Sequence, residues 1–427
     1  MTFSIVKVTR SHILTVIPCF RIIQYSDCDK NQTCVIYSDM ESAPSVEAVV
    51  QAVSSLYTNP DPEVKQGASR WLTSLQQSVY AWTLSDQLLQ RNADVETCYF
   101  AAQTMRTKIQ YSFHELPPAS HASLRTSLMN HLTQLNAGTS GKILTQLCLA
   151  MADLILLMPE WTSALSELMT ALGPPTGHIP ALLEVLLLLP EEVDSRHLRL
   201  GANRRHQVKQ MLSASHTHIT QFLSTVISSP SHHVSCVKCY SSWLSLGVIP
   251  LDSVLTSPVM GAAVASLHAP HTPPDLHEAA TDCMIALLAR LEREDNEKLE
   301  ASTVQTVQAL GPCYQAAVAE EDLEKSLNLC RVFTELGETF LMKIVSSPPH
   351  APHFSLPILD MVLMCCQHPD YEIPDVTFNL WYRLSEELYT RNDDNLVALF
   401  KPQMEQLINT LCRHCQIEPD TVSGSPH

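Results

Sequence analysis

The chain has 427 residues, which is more than one ordinary globular core organises, so it holds several domains or a core that grows along one axis. Its formal net charge of −17 disfavours direct binding to nucleic acid and favours basic partners. Its 11 glycines and 27 prolines, with the prolines mostly between apolar runs, argue against glycine-rich loops and β-hairpins.

Residues 1–43 differ in pattern from the rest of the chain. Three basic residues precede the first acid, Asp27, and the apolar part of the segment is broken by Pro18 and Arg21. We interpret this segment as an atypical, disordered leader, and a signal or transit peptide is the alternative. Because no apolar run in the chain reaches the length of a membrane span, we expect a soluble protein.

From Pro44 onwards the sequence predicts amphipathic helices, and the stretch from Asp94 to Pro117 shows the pattern most clearly. Apolar residues recur at three- and four-residue steps and predict a buried stripe of Val95, Cys98, Ala102, Met105, Ile109 and Phe113. The other side carries Thr97, Gln103, Thr104 and Lys108. Pro117 and Pro118 end the pattern, because proline cannot continue a helix.

The same rhythm continues to the end of the chain, and almost nothing in it is typical of a strand. The helices that we interpret as second in each pair begin near Thr97, Lys142, Pro180, Val234, Leu276, Asn328 and Ile373. These starts are 38 to 54 residues apart, which is nearest to the period of HEAT and armadillo arrays. We expect Pro190 to close the helix that begins at Pro180, and Gly311-Pro312 to interrupt another.

The sequence therefore predicts an all-α protein, an α-solenoid of HEAT-type helical hairpins with about eight pairs in a right-handed superhelical arc. One large helical domain with a single core is the structural alternative. We divide the chain into the leader (1–43), N-terminal repeats (44–135), continuing repeats (136–416) and a polar tail (417–427).

Cysteine spacing raises the question of a metal site. Cys236 and Cys239 have the CxxC spacing of a zinc half-site, and so do Cys412 and Cys415, but neither pair has a second half nearby. Since Cys236 and Cys239 lie on an apolar stripe, we expect core residues and no metal or cofactor. The common catalytic motifs are also missing from the sequence, so an enzyme is not expected.

Two charged stretches are open to two interpretations, a solvated face or a contact with a partner. Glu191 to Asp194 is acidic and runs into a basic segment that contains Arg196, Arg199, Arg204 and Arg205. Glu320 to Glu324 opens a helix, where acids complement the helix dipole.

Particular stretches carry a family resemblance. The N-terminal region of importin-β-type nuclear transport receptors is similar to ASRWLTSLQQSVYAW, SDQLLQ and CYFAAQTMRTKIQYSFHELP. Transportin-SR, the transportin-3 type within that family, is similar to HASLRTSLMNHL, LPEEVDSRHLRLGANRR, LHEAATDC, EEDLEKSLNLCRVFTELGETFL, FNLWYRLSEELY and RHCQIEPD. The resemblance covers roughly residues 44–420 and corresponds to the N-terminal half of the family's array.

The resemblance implies a receptor that shuttles between cytoplasm and nucleus, passes nucleoporins, carries serine/arginine-rich proteins and releases them to GTP-bound Ran. In the family, Ran lies mainly against the concave second helices of the N-terminal repeats, and the main cargo site lies in the C-terminal half, so we expect that site to be missing here. The atypical start and the polar end suggest a fragment, an isoform or an imperfect gene model. A HEAT-type scaffold without Ran dependence is the alternative function.

Helices starting near Glu63, Asp94 and Lys142 are predicted to line the concave face. On that geometry the candidate Ran contacts are Asp94, Thr97, Gln103, Thr104, Lys108 and Asp153, with Asp94 and Asp153 as charge partners for basic residues of Ran. The residues predicted to hold the helix in the stack are Phe100, Ala102, Met105 and Ile109.

Overall fold

The computed structural model describes residues 43–136, 138–174, 176–348 and 350–415. The predictions for the leader and for the polar tail fall almost wholly outside these residues, so they stay predictions. Within the described ranges the secondary structure is helical, with short turns between the helices and no strand.

The helices follow one another in pairs. In chain order they are α1 (Val46–Thr58), α2 (Pro62–Gln77), α3 (Ala81–Arg91), α4 (Val95–Ser112), α5 (Pro118–Gln134), α6 (Gly141–Leu157), α7 (Ala164–Leu172), α8 (Ile179–Val193), α9 (Ala202–Val226), α10 (His233–Leu246), α11 (Leu251–Val254), α12 (Pro258–His268), α13 (Pro274–Leu291), α14 (Glu297–Gln308), α15 (Gly311–Ala319), α16 (Leu323–Ser346), α17 (Ile358–Cys366), α18 (Glu372–Arg391) and α19 (Asp394–His414).

The second helices of successive pairs form one continuous layer. Helices α4, α6, α8, α10, α13, α16 and α18 each contact the next along the array, and each also contacts a first helix of its own pair. The first helices contact one another less extensively. Closer packing on one side curves the array, so the second helices form the concave face. The predicted all-α solenoid of about eight pairs is confirmed, and so are the predicted starts of the second helices.

The core runs along the array between the two layers. Helix α6 shows this most clearly, because every residue from Leu147 to Leu156 is buried. A helix that is apolar on nearly all sides must be covered on all sides, and here α4, α5 and α8 supply the cover. Across the described ranges, no helix combines the length and the apolar character that crossing a bilayer requires.

Prolines end helices at most of the predicted places, but the prediction for Pro190 is wrong. Helix α8 continues through Pro190 to Val193. Proline has no N–H for the carbonyl four residues back, which is that of Leu186. The indole Nε1 of Trp243 on α10 donates to that carbonyl at 2.8 Å, and the neighbouring carbonyl of Leu187 accepts from Ser242 Oγ at 2.8 Å. The next repeat therefore supplies the hydrogen bond that the proline removes.

Two arginines of the basic segment after α8 have a structural role, because they donate hydrogen bonds to carbonyls at helix ends. Arg204 donates from Nε to the carbonyl of Leu156 at 2.8 Å and so caps the end of α6. Arg205 donates to the carbonyl of Val193, the last residue of α8, and to that of Ser195 just beyond the helix. These contacts satisfy carbonyls that helix ends leave without partners. The paired arginines of the LRLGANRR stretch thus join one repeat to the next.

Candidate partner-binding face

Helix α4 is the second helix of the second pair and lies in the concave layer. Its N-cap residue is Asp94. The Asp94 carboxylate is the N-cap, and it accepts a hydrogen bond from the backbone N–H of Thr97 at 2.7 Å. Asp94 is exposed, and Glu96 beside it in the first turn is exposed too. Two carboxylates at this end complement the positive end of the helix dipole and remain open to a partner.

The expectation of exposure is wrong for four of the six predicted contacts. Thr97, Thr104, Lys108 and Asp153 are all buried, with at most 2 % of each residue exposed. Helix α4 contacts α1, α2, α3 and α6. Its polar residues therefore lie against neighbouring helices, and Thr104 Oγ1 accepts from Gln76 Nε2 of α2 at 3.0 Å. Only Asp94, which is exposed, and Gln103, which is half-buried, keep the predicted access.

The prediction that apolar residues of α4 are buried and hold the helix in the stack is confirmed for four of them. They are Phe100, Ala102, Met105 and Ile109. The prediction for Val95 is wrong, because 55 % of this residue is exposed at the start of the helix.

Lys108 has its own partners inside the protein. Its Nζ lies 2.6 Å from Glu115 Oε2 and 5.6 Å from the centre of the Trp82 ring. The Trp82 indole also donates to Glu115, at 3.3 Å. Burial raises the pKa of Glu115, but the hydrogen bond and the charge of Lys108 outweigh this effect and the net pKa is lowered. This pair anchors the end of α4, and because 1 % of Lys108 is exposed, its ammonium is not accessible to a partner.

Asp153 belongs to a polar group that joins three concave helices, and we name it the polar clamp: Arg106 and Gln110 of α4, Asp153 of α6 and Glu192 of α8. Arg106 Nε lies 3.6 Å from Asp153 Oδ2, and Arg106 Nη2 lies 3.4 Å from Glu192 Oε1. Burial, and then the charge of Glu192, raise the pKa of Asp153 to about 7, although Arg106 acts in the opposite direction.

Sequence reasoning missed Glu96 and Arg106 on this face, and it singled out Glu192 only as part of the acidic stretch Glu191 to Asp194. Glu96 has a local signal, because it lies in the acidic first turn next to the N-cap. The pairing of Arg106 with Glu192 has no local signal, because the two residues lie 86 positions apart and only the stacking of three repeats brings them together.

Further along the concave face, a groove of about 470 Å³ lies between α8, α10 and α13. Four acids line it, namely Glu191, Asp194, Glu278 and Asp282, together with Lys238. Lys209 pairs with Asp194 at 3.2 Å, and Arg331 pairs with Asp282 at 2.7 Å. Acids outnumber basic residues in the lining of the groove, but these two ion pairs balance part of their charge.

The cysteine pair that suggested a metal site lies in the core. Cys236 and Cys239 are fully buried, as predicted, and Cys236 Sγ donates to the carbonyl of Leu223 at 3.3 Å. Burial raises the pKa of Cys236 to about 12, which disfavours the thiolate that zinc requires. In the described part of the chain, no group of three His, Cys, Asp or Glu side chains is placed to hold a metal ion.

Comparison with known proteins gives three family models that match successive parts of the array. The importin-beta N-terminal domain matches residues 68–134, the exportin 1-like protein model matches residues 140–284, and the transportin-3/importin-13 second TPR domain matches residues 321–414. The first of these matches contains α4 with Asp94 and Glu96.

Whole-chain relatives agree with the family models. The chain is 29 % identical over 401 residues to human importin-13, covering 89 % of this chain and 40 % of that protein. It is 28 % identical over 354 residues to transportin MOS14 of Arabidopsis thaliana, covering 81 % of this chain and 36 % of the relative. The chain thus spans about two fifths of the length of these relatives.

A solved structure of importin beta matches 88 % of this chain and 50 % of the importin beta chain, at 14 % identity and a TM-score of 0.44. By these family models and relatives, the chain is similar to importin-beta, exportin 1-like and transportin-3/importin-13 proteins. These matches do not single out the transportin-SR type, since importin-13 is matched equally well.

Proposed function

We propose that this chain acts in nuclear transport as a karyopherin-β receptor whose first repeats bind the GTP-bound form of Ran on their concave face. The observation that carries the proposal is the match of an importin-beta N-terminal domain to residues 68–134, the segment that contains α4 with the exposed residues Asp94 and Glu96. Exposed carboxylates there suit the basic surface of Ran. Asp94, Glu96 and Gln103 are the contacts we now propose.

The buried members of the predicted contact set take an indirect part in this proposal. Thr97 donates its backbone N–H to Asp94, and Thr104 and Lys108 hold α4 against its neighbours. We propose that they position the helix, and that they do not touch Ran. Asp153 is buried in the polar clamp and has the same indirect role.

Cargo, passage and location belong to the same proposal. Serine/arginine-rich proteins are the cargo that the resemblance implies, nucleoporins are the proposed contacts during passage, and the receptor is proposed to shuttle between cytoplasm and nucleus.

The test is a pull-down of the chain with Ran locked in each nucleotide state. We expect preferential capture of the GTP form by the wild type. The variant Asp94→Asn, Glu96→Gln should capture less of it, because two charges are lost while asparagine still caps the helix. The control variant Asp360→Asn, Glu405→Gln removes two exposed charges from α17 and α19, outside the concave layer, and should bind normally.

Each outcome bears on a different part of the proposal. Equal capture of both nucleotide states would contradict the receptor function and favour a HEAT-type scaffold that does not respond to Ran. Selective capture that the Asp94→Asn, Glu96→Gln variant does not reduce would contradict only the assignment of these contacts.

A further inference from the structure

The polar clamp carries an unbalanced charge inside the protein. Asp153 is fully buried, 12 % of the Glu192 side chain is exposed, and 22 % of the Arg106 side chain is exposed. Two carboxylates therefore share one guanidinium. With both carboxylates ionised, one buried negative charge has no counter-charge, which is costly in a poorly solvated site.

Hydrogen bonding does not compensate for this charge. The distances from Arg106 to Asp153 and Glu192 are 3.6 and 3.4 Å, which are long for charged hydrogen bonds. Within the described residues, neither carboxylate oxygen of Asp153 has a hydrogen bond of good geometry, and the same holds for Gln110 Nε2 and Glu192 Oε2. Gln110 and Arg106 act on Asp153 only through weaker contacts that lower its pKa less than burial raises it. Half-satisfied polar groups of this kind destabilise the packing that surrounds them.

The other helices that pack against α6 do not neutralise Asp153. Helix α5 directs its titratable side chains elsewhere: His121 lies 3.5 Å from Glu160, Arg125 lies 3.7 Å from Glu167, and His131 lies 2.8 Å from Asp86. The groups that act on Asp153 are Arg106 and Gln110 from α4 and Glu192 from α8.

We propose that the polar clamp is a proton-controlled joint, in which a proton on the buried carboxyl of Asp153 keeps α4, α6 and α8 packed and its loss loosens them. With the proton bound, one carboxylate faces one guanidinium and the clamp is neutral. Once the proton leaves to solvent, the negatively charged carboxylates of Asp153 on α6 and Glu192 on α8 repel each other. These three helices form the start of the concave layer. The protonation state of the joint therefore controls how stable the packing between the first repeats is.

The experiment is hydrogen exchange of the full chain between pH 6 and pH 8, expressed as protection factors that correct for the intrinsic effect of pH on exchange. The raised pKa of Asp153, about 7, means that the folded state binds the proton more tightly than the unfolded state does. Protection that depends on this proton is complete at low pH and declines as the pH rises through the raised value. We expect protection of α4, α6 and α8 to fall by up to about tenfold between pH 6 and pH 8.

Two variants and a control make the test specific. Asp153→Asn removes the titrating carboxyl at nearly constant shape and should abolish the decline with pH in α4, α6 and α8. Glu192→Gln removes the neighbouring charge that helps to raise the pKa of Asp153, and of Glu191 on α8, so it should move the decline to lower pH. The control Asp282→Asn removes a carboxylate that pairs with Arg331 at 2.7 Å elsewhere on the concave layer, and its pH profile in α4, α6 and α8 should match the wild type.

The result that overturns the joint is a pH profile for these three helices that is the same in the wild type and in both clamp variants. If Asp153→Asn does not fold, Glu192→Gln tests the joint from the more exposed side of the clamp, by its shift of the decline to lower pH. A decline that appears equally in α16 and α18 would also overturn it, because it would reflect the charge of the whole chain.

Discussion

Lys108 is a lysine that the fold has taken out of solvent, with 1 % of the residue exposed. Its ammonium is balanced by Glu115 at 2.6 Å and lies over the Trp82 ring. The change Lys108→Met keeps most of the side-chain volume and leaves Glu115 without its counter-charge. We expect the free energy of unfolding to fall by about 1–3 kcal/mol at pH 7, measured by urea denaturation.

The pH dependence of this loss identifies its cause. Because the pKa of Glu115 is lowered in the folded state, the pair stabilises the protein above the ordinary carboxylate pKa of about 4.3, and this stabilisation is lost as the pH falls through the lowered value. The gap between wild type and Lys108→Met should therefore narrow below pH ~4. A gap that stays constant with pH would point to packing alone.

The sequence could show that Thr97, Thr104 and Lys108 share one side of α4, but it could not show what covers that side. Polar residues opposite an apolar stripe are exposed when one face of a helix is buried. Here neighbours cover α4 on several sides, and the partners of its polar residues, such as Gln76 and Trp82, come from other helices. Asp94 was predictable because an N-cap depends on local sequence alone.

At the level of single helices, Pro117 and Pro190 show when a proline in the sequence predicts the end of a helix and when it does not. Pro117 precedes α5 and separates it from α4, as the sequence predicts. Pro190 lies inside α8, where the sequence predicts an end. The difference is the donor from α10, Trp243, which no local pattern around Pro190 reveals. The interruption predicted at Gly311-Pro312 is confirmed, whereas a further break between α11 and α12 was not predicted.

The hydrogen bond from Trp243 to the Leu186 carbonyl gives a prediction for α8. Trp243→Phe retains an aromatic ring but leaves this buried carbonyl without a donor. We expect a loss of about 1–3 kcal/mol in the free energy of unfolding, measured by urea denaturation.

A second substitution separates this loss from a simple change in volume. Pro190→Ala restores a backbone N–H that can donate to the Leu186 carbonyl within the helix. In a double-mutant cycle, Trp243→Phe should therefore cost less in the Pro190→Ala background than in the wild type. Equal costs in both backgrounds would contradict the proposed compensation between proline and tryptophan.

Over the whole molecule, contacts join each concave helix to its neighbours in the array. The stability of such a solenoid is close to a sum of terms for each repeat and for each interface between repeats. A local defect should therefore open its own repeat and the adjacent ones, and leave distant repeats closed. The alternative of a single central core predicts the opposite, because a defect there would loosen every helix.

Native cysteines can report this difference, since buried free thiols lie along the array at Cys148, Cys236, Cys283, Cys330 and Cys365. A buried thiol reacts with an alkylating reagent only when its surroundings open. We expect Trp243→Phe to speed labelling of Cys236 on α10 most strongly. Labelling should change less at Cys283 on the adjacent helix α13 and at Cys148 on α6, which packs against α8, and it should not change at Cys330 and Cys365. Mass spectrometry of the labelled peptides gives the rate at each thiol. A uniform acceleration at all five thiols would show that the repeats open together, and the free energy of unfolding would then belong to one cooperative unit instead of to separate interfaces.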